Sequence, residues 1–366
     1  MADFKPIRAL GLMSGTSMDG VDGAVLTTDG VTIHDFGESA FRPFTVTEAD
    51  NLRAAQGLWP GEQPEVLQAA LEVIQTAHAD LIGEFEDIDL VGFHGQTLNH
   101  DPERGRTFQL GDGADLAQRS GIPTVWDFRS TDMVMGGQGA PLAPFFHFAC
   151  AKWAGLTAPA AFLNLGGVGN VTVVDPSKPS PETTGALMAF DTGPANAPLN
   201  DLMTARLGLD FDEDGALAAT GIVDETVLTR VFQRPFFAQK PPKSLDRHDF
   251  HDVLKLVDRL GDADAAATLT ALPAACVAAN QSHLTLQPQN WYVCGGGASN
   301  PVMMQELSKR LTGQVHSIGE LGLDGDMLEA QAFAYLSVRS KRGLPLSAPA
   351  TTGCTAPATG GRYSQP

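Results

Sequence analysis

Asp191 is the residue of this chain best placed by its neighbours to move a proton. It stands in Phe190-Asp191-Thr192-Gly193-Pro194, directly after the apolar run GALMAF, so its carboxylate should emerge at a strand end beside a Gly-Pro turn. That is a general base's position. The same spacing suits an Asx-turn residue or a helix cap, and the residues alone leave these readings open. Three glycine-rich loops add a second kind of chemistry. Gly15-Thr16-Ser17-Met18-Asp19-Gly20 offers small residues, two hydroxyls and backbone N–H groups that phosphate oxygens can approach closely. Gly166-Gly167-Val168-Gly169-Asn170 offers the same later in the chain. Gly295-Gly296-Gly297-Ala298-Ser299-Asn300-Pro301 leads into a helix and leaves bare backbone on which a flat base can lie. A Gly-rich strand connection is most often only a tight turn; it is the three together that point to a nucleotide. The chain has no G-x-x-x-x-G-K-S/T and no complete G-x-G-x-x-G, so neither a P-loop nor a dinucleotide fingerprint is present.

Other polar residues have blander readings. His94, in HGQT, has no second imidazole or carboxylate at ligand spacing and is read as structural. His248 and His251 lie three apart among charged residues, a pattern that fits a solvated helix start better than a zinc site. Arg129, in Trp126-Asp127-Phe128-Arg129, follows the strand IPTV; it can clamp a carboxylate or serve an ordinary salt bridge.

These residues need elements to hold them. Residues 7 to 28 read as strand, Gly-containing turn and strand, and Ala160 to Asp175 repeat the unit, so each half of the chain opens with a hairpin. Between them, Pro64 precedes a helix whose stripe of Val66, Leu67, Ala70, Leu71, Ile74, Ala77 and Leu81 should cover a sheet. Strand IDLVGF runs into His94-Gly95-Gln96-Thr97 and strand WYVC into Gly295, and open α/β sheets bind ligands at such carboxyl ends. A last helix is expected from about Asp326 to Arg339, and the Pro-, Ala-, Thr- and Gly-rich tail after Gly343 reads as loop.

At 366 residues the chain exceeds the roughly 250 to 300 at which one core stops growing, so two domains are expected. The division is set at 1–135 plus 326–366 for the first domain and 136–325 for the second. A formal charge of −19 repels a phosphate backbone and argues against nucleic-acid binding, so an anionic ligand must be held by local dipoles or a few chosen cations. The start MADFKPIRALGLMSG lacks the parts of a signal peptide, and no apolar run reaches the roughly 18 residues of a membrane helix, which predicts a cytoplasmic protein with no membrane partner. The four cysteines are scattered, with no C-x-x-C pair, and indicate neither zinc cage nor disulfide framework.

In order along the chain, LGLMSGTSMDGVD, FHGQT, QLGDGADLA, WDFR, GGQGAPLAP, LNLGGVGN, FDTGPANA, CGGGASNP and EAQAFAYL resemble the segments of the anhydro-N-acetylmuramic acid kinase family. The resemblance implies an α/β fold of two actin-like (ribonuclease H-like) domains with mixed sheets, binding ATP and sugar in the interdomain cleft. It implies that Gly15, Thr16, Ser17, Met18, Asp19, Gly20, Val21 and Asp22 form the phosphate loop, that the loop from Asn164 to Asn170, with Gly166, Gly167 and Asn170, faces the same nucleotide, and that Gly295, Gly296 and Gly297 hold the adenosine. Asp191 matches the family's catalytic base, and Gln96, Arg129 and Glu329 are candidates for sugar contacts. The implied reaction uses ATP and Mg²⁺ to open 1,6-anhydro-N-acetylmuramic acid hydrolytically and phosphorylate O6, giving N-acetylmuramic acid 6-phosphate and ADP in peptidoglycan recycling. A homodimer is implied as well. This chain departs from the family where Ala195 replaces a second Gly, and where Gly325-Asp326-Met327-Leu328-Glu329 replaces Gly-Asp-Asp-Met-Glu. Both departures bear on the sugar, so a kinase for another anhydrosugar such as levoglucosan is the nearest rival. A non-catalytic ATP-gated module is the rival of another class.

Overall fold

A computed structural model describes residues 4–245 and 247–366, without the side chains of 247–249. The side chain of His248 therefore lies outside the described residues. The chain forms two compact units: Met1–Trp153 with Ser180–Glu182 and Met327–Pro366, and Ala154–Pro179 with Thr183–Asp326.

In the first unit, β1 (Ile7–Ser14), β2 (Gly20–Thr28) and β3 (Ile33–Pro43) form an antiparallel meander. Next, β4 (Leu90–Asp101) pairs parallel to β1, β5 (Arg106–Leu110) returns against β4, and β6 (Thr124–Trp126) pairs parallel to β4. In the second unit, β7 (Ala160–Leu165), β8 (Val168–Val174) and β9 (Leu187–Pro194) form a second meander. There β10 (Asn290–Cys294) lies parallel to β7, and β11 (Gln314–Ser317) lies parallel to β10. The orders β3-β2-β1-β4-β6 and β9-β8-β7-β10-β11 are one topology used twice, with three strands antiparallel and two added in parallel through helical crossovers. This duplication is what the paired hairpins announced.

Helix Pro64–Ile82 buries Ala70, Ile74, Ala77 and Leu81 against the Leu10, Leu12, Val21, Val25, Val91 and Phe93 face of the first sheet, as its periodicity predicted. Helix Leu328–Lys341 lies over β1, β2 and β4 and is almost wholly buried. It comes so close that a Cβ at Gly11 would lie 1.8 Å from the Ala330 carbonyl oxygen and one at Gly92 2.3 Å from that of Phe333. Those glycines are a condition of helix-to-sheet contact.

Two expectations change. Segment 136–153, counted with the second domain on sequence, belongs to the first compact unit, where helix Pro144–Trp153 packs against β3 and helix Leu328–Lys341 and sets Phe146 beside Tyr335. The tail is not all loop. Residues Pro349–Thr352 make a helical turn, and Arg362–Ser364 pairs antiparallel with β6, extending the sheet by one strand.

Gly92→Ala should destabilise the first unit by about 2 kcal/mol or more, because the helix backbone cannot yield as a side chain would. Urea midpoints compared at equal slope measure this, and a loss under about 0.5 kcal/mol would mean that the helix can ride higher on the sheet.

Candidate active site

The turn from β1 to β2 hangs on two anchors. Gln96 is fully buried and accepts from the Ser14 hydroxyl at 2.6 Å while its Nε2 donates to the Gly15 carbonyl at 3.1 Å. Met18 is buried in the first unit's core although its φ is 55°, a conformation that costs a non-glycine residue about 1–3 kcal/mol. The Met18 N–H donates to the Gly15 carbonyl at 3.2 Å and closes the turn. Thr16, Ser17 and Asp19 consequently stay exposed. Gly15 does not owe its identity to crowding: the nearest atom to an added Cβ is Ser17 Oγ at 3.4 Å. Gly20 does, since a Cβ there would meet the Arg42 carbonyl oxygen at 2.5 Å. Gln96, expected against the sugar, is committed here to bracing the loop.

Arg129 follows β6. Its Nε and Nη2 lie 3.1 and 2.9 Å from His94 Nε2, and Nη1 donates to the Gly139 carbonyl at 2.6 Å. His94 Nδ1 lies 2.7 Å from the Gly95 carbonyl oxygen. An imidazole that donates through Nδ1 and accepts at Nε2 satisfies both contacts, and burial, followed by the Arg129 charge, pushes its pKa well below the ordinary value. The structural reading of His94 thus gains a purpose: it orients Arg129. Burial lowers the Arg129 pKa to about 10, opposed by Glu329 and Asp132, so the guanidinium stays charged at neutral pH. Among the described residues these bonds leave one N–H on each terminal nitrogen, the pair that can hold a carboxylate bidentately.

Asp132 holds the other side of this arrangement. It is buried, accepts from the Gly139 N–H at 2.7 Å and the Thr352 hydroxyl at 2.6 Å, and is bonded by the Ser347 hydroxyl. Glu329, in the first turn of helix Leu328–Lys341, reaches solvent. The protein on its other side still desolvates the carboxyl enough to raise it above the ordinary value, against the lowering charge of Arg129. A cavity of about 390 Å³ in this unit is lined by His94, Gln109, Trp126, Asp127 and Arg362 among others. A wider hollow of about 610 Å³, bordered by Pro64, Glu65, Gln68, Ala69 and Glu72, holds none of the candidate residues.

In the second unit, the motif FDTGPAN fixes the glycine loop between β7 and β8. The N–H groups of Ala195 and Asn196 donate to the carbonyls of Gly167 and Gly166 at 3.1 and 2.8 Å, and Asn196 Nδ2 donates to the Leu165 carbonyl at 2.8 Å. Asn170 sits opposite Asp191 in the β8–β9 register. Space is open on the Cβ side of Gly166, with nothing nearer than 3.9 Å. Gly295, with φ of 74°, and Gly297 are instead demanded by packing, against Asn164 Oδ1 at 2.4 Å and Leu165 Cβ at 2.6 Å. Between them Gly296 is exposed, and Asn300 caps helix Pro301–Arg310 through the N–H groups of Val302 and Met303.

Asp191 lies on β9, partly exposed. Its N–H donates to the Lys243 carbonyl at 3.0 Å, and its Oδ2 accepts from the Leu245 N–H at 2.8 Å. Desolvation raises its pKa to about 7 and the Leu245 bond opposes that rise. Among the described residues Oδ1 is left for a water. A carboxyl with that pKa is a base able to act near neutrality.

The sequence reading missed Ser14, Asp132, Asn196, Lys243 and Leu245. All five act on loops rather than at a recognisable spacing; Asn196 alone had a signal, as the polar residue that closes Gly193-Pro194-Ala195-Asn196.

The twofold use of one five-strand order, with glycine loops and polar groups at the carboxyl ends of the strands, defines an actin-like α/β protein. The sequence pattern described as anhydro-N-acetylmuramic acid kinase matches residues 7–365, and the chain belongs to that family. A curated anhydro-N-acetylmuramic acid kinase of Roseobacter denitrificans is 56% identical over 366 residues, covering 100% of this chain and 96% of its own length. One of Cereibacter sphaeroides is 57% identical over 360 residues, covering 98% and 96%. Among solved structures, a ROK family glucokinase from Streptomyces griseus in complex with glucose and AMPPNP is similar at 14% identity and a TM-score of 0.41, covering 90% of this chain and 99% of that one.

Gly15→Val should leave the protein folded, because the added side chain meets little protein, yet weaken ATP binding about ten-fold or more by occupying the phosphate's approach. Calorimetric ATP affinity unchanged in a folded variant would remove residues 15 to 22 from the nucleotide site.

Proposed function

We propose that this chain is an ATP-dependent kinase that hydrolytically opens 1,6-anhydro-N-acetylmuramic acid and phosphorylates its O6, releasing N-acetylmuramic acid 6-phosphate and ADP. The observation that carries the reading is Asp191: a carboxyl on β9 raised to about 7, held by one main-chain N–H, in a chain whose family acts on such a sugar. A module that only closes on ATP has no use for a base so prepared.

In the proposed reaction Asp191 takes a proton from water as its oxygen attacks C1. The C1–O6 bond breaks, and O6 takes the γ-phosphoryl group as the bond to ADP breaks. The open turn at Gly15 to Asp22 and the loop at Gly166 to Asn170 are assigned to phosphate oxygens, and the exposed backbone at Gly296 to adenosine. The two remaining Arg129 N–H groups are assigned to the lactyl carboxylate, which levoglucosan lacks, and Glu329 to the sugar. Among the described residues no cluster of three or more His, Cys, Asp or Glu side chains could hold a metal, so they form no cage for Mg²⁺. The ion is assigned to the nucleotide's own phosphates and to water, where it would neutralise charge. No helix among the described residues is long and apolar enough to cross a membrane, consistent with the cytoplasmic site we assign. The homodimer implied by the family is part of the same proposal.

Asp191 works as the carboxylate, so lowering pH through about 7 should reduce kcat/KM about ten-fold per unit on the acid side. Asp191→Asn should lower turnover by roughly 10²- to 10⁴-fold with ATP affinity nearly intact. Activity within a few-fold of the parent, measured by ADP release, would exclude Asp191 as the base.

The source of the new C1 oxygen separates this reaction from simple phosphate transfer. Run in ¹⁸O-water and trapped promptly, the product should carry label on the C1 hydroxyl and none in the phosphate ester. Unlabelled C1 would mean that water is not the nucleophile, and label in phosphate would point to separate ATP hydrolysis.

A further inference from the structure

We propose that Lys243 is a positioning residue for the base: its buried ammonium pins the segment 243–245, whose main chain grips Asp191 at both its N–H and its carboxylate. The proposal rests on Asp191 being the base. Lys243 is 4% exposed, a rare burial for a lysine. Its Nζ donates to the Phe236 carbonyl at 3.0 Å and lies 4.2, 5.9 and 6.0 Å from the ring centroids of Phe236, Phe190 and Phe237. Phe190 immediately precedes Asp191 on β9, so one end of the lysine is fixed beside the base's own strand. The other end, its carbonyl, receives the Asp191 N–H, and two residues on the Leu245 N–H reaches Oδ2. A methionine would fill the same space but could not bond to the Phe236 carbonyl. Packing alone does not ask for an ammonium, since desolvating one costs as much as its contacts return unless they are used for position.

The consequence is a defined proton affinity. The Leu245 N–H favours the carboxylate, against the desolvation that raises the group to about 7. Around Asp191 stand neutral Asn170 on β8, Lys243 with its head turned to the rings, and Cys276, whose sulfur would meet a Cβ on Gly193 at 2.8 Å. Burial raises the Cys276 thiol pKa, keeping it neutral, and lowers that of Lys243 to about 8, so the ammonium is present at neutral pH. The lysine thus acts on the base through the main chain.

Lys243→Met, Lys243→Arg and Leu245→Pro test this, with Asp191→Asn alongside. Lys243→Met should lower kcat about ten-fold, leave both KM values within about two-fold, and move the acid limb of kcat up by roughly one pH unit, because the carboxylate loses a donor. Arginine retains a donor for Phe236 and a cation over the rings, and should restore most of the rate and the profile. Leu245→Pro deletes the N–H with Lys243 in place and should move the acid limb the same way, which keeps the test open if Lys243→Met does not fold. A folded Lys243→Met with a lower melting temperature but an unmoved acid limb and kcat would make Lys243 a packing residue and overturn the proposal. Full turnover in Asp191→Asn would instead overturn the base reading beneath it, so the two failures are distinguishable.

Discussion

A main-chain amide or carbonyl that a loop turns away from water must find a partner, and much of the polar side-chain inventory of the motifs is spent on that requirement. Gln96 pairs with the Gly15 carbonyl, Asn196 with that of Leu165, Asp132 with the Gly139 N–H, and Lys243 with the Phe236 carbonyl. Two of these bonds join pieces distant in sequence, Gln96 to Gly15 and Asn196 to Leu165, and two close shorter loops of seven residues. Because the loops are held from behind, their outer faces can stay bare. That is how Gly15 and Gly166 come to have open space on their Cβ sides while neighbouring glycines are packed solid.

This division of labour decides what was legible in the sequence. The paired hairpins and helix Pro64–Ile82 follow from local patterns and are present, whereas Asp191, expected at a strand end beside a turn, lies within β9, because Gly193 and Pro194 go on pairing with β8. The braces are not local: Leu245 lies 54 residues from the aspartate it bonds, and Ser347 lies 215 from Asp132. No spacing rule connects them. Helix Asp262–Asn280 escaped for a different reason. It is apolar on nearly every side and buried from Ala265 to Val277, so it has no stripe for periodicity to find, and Pro273 lies within it. The final strand escaped because three residues in a Gly-, Pro- and Thr-rich tail carry no strand pattern of their own; pairing with β6 makes it.

Glycine counts alone would have misled. Gly295 and Gly297 look like a nucleotide loop by composition, yet each is already required by contact with Asn164 or Leu165. Only Gly296, exposed between them, is left for a ligand. On the function proposed above, the flanking glycines would shape the approach and the middle one would provide the surface, a distinction that needs coordinates because both roles exclude a side chain.

The two departures from the family pattern can be weighed in the same way. Ala195 has a fully buried side chain and its N–H still bonds to the Gly167 carbonyl, so the loop it staples is kept. Met327 precedes helix Leu328–Lys341 as its N-cap residue, and Glu329 still falls in the first turn. The bonds that hold Arg129 come from other residues. His94 and Gly139 consume three of its five donors, and the remaining two belong to a guanidinium that burial already penalises. On the function proposed above, a sugar without a carboxylate would leave both N–H groups without an acceptor, whereas a lactyl carboxylate would meet them and offset the desolvation. In that reading, discrimination against a neutral anhydrosugar would follow from the cost of leaving those two N–H groups without an acceptor.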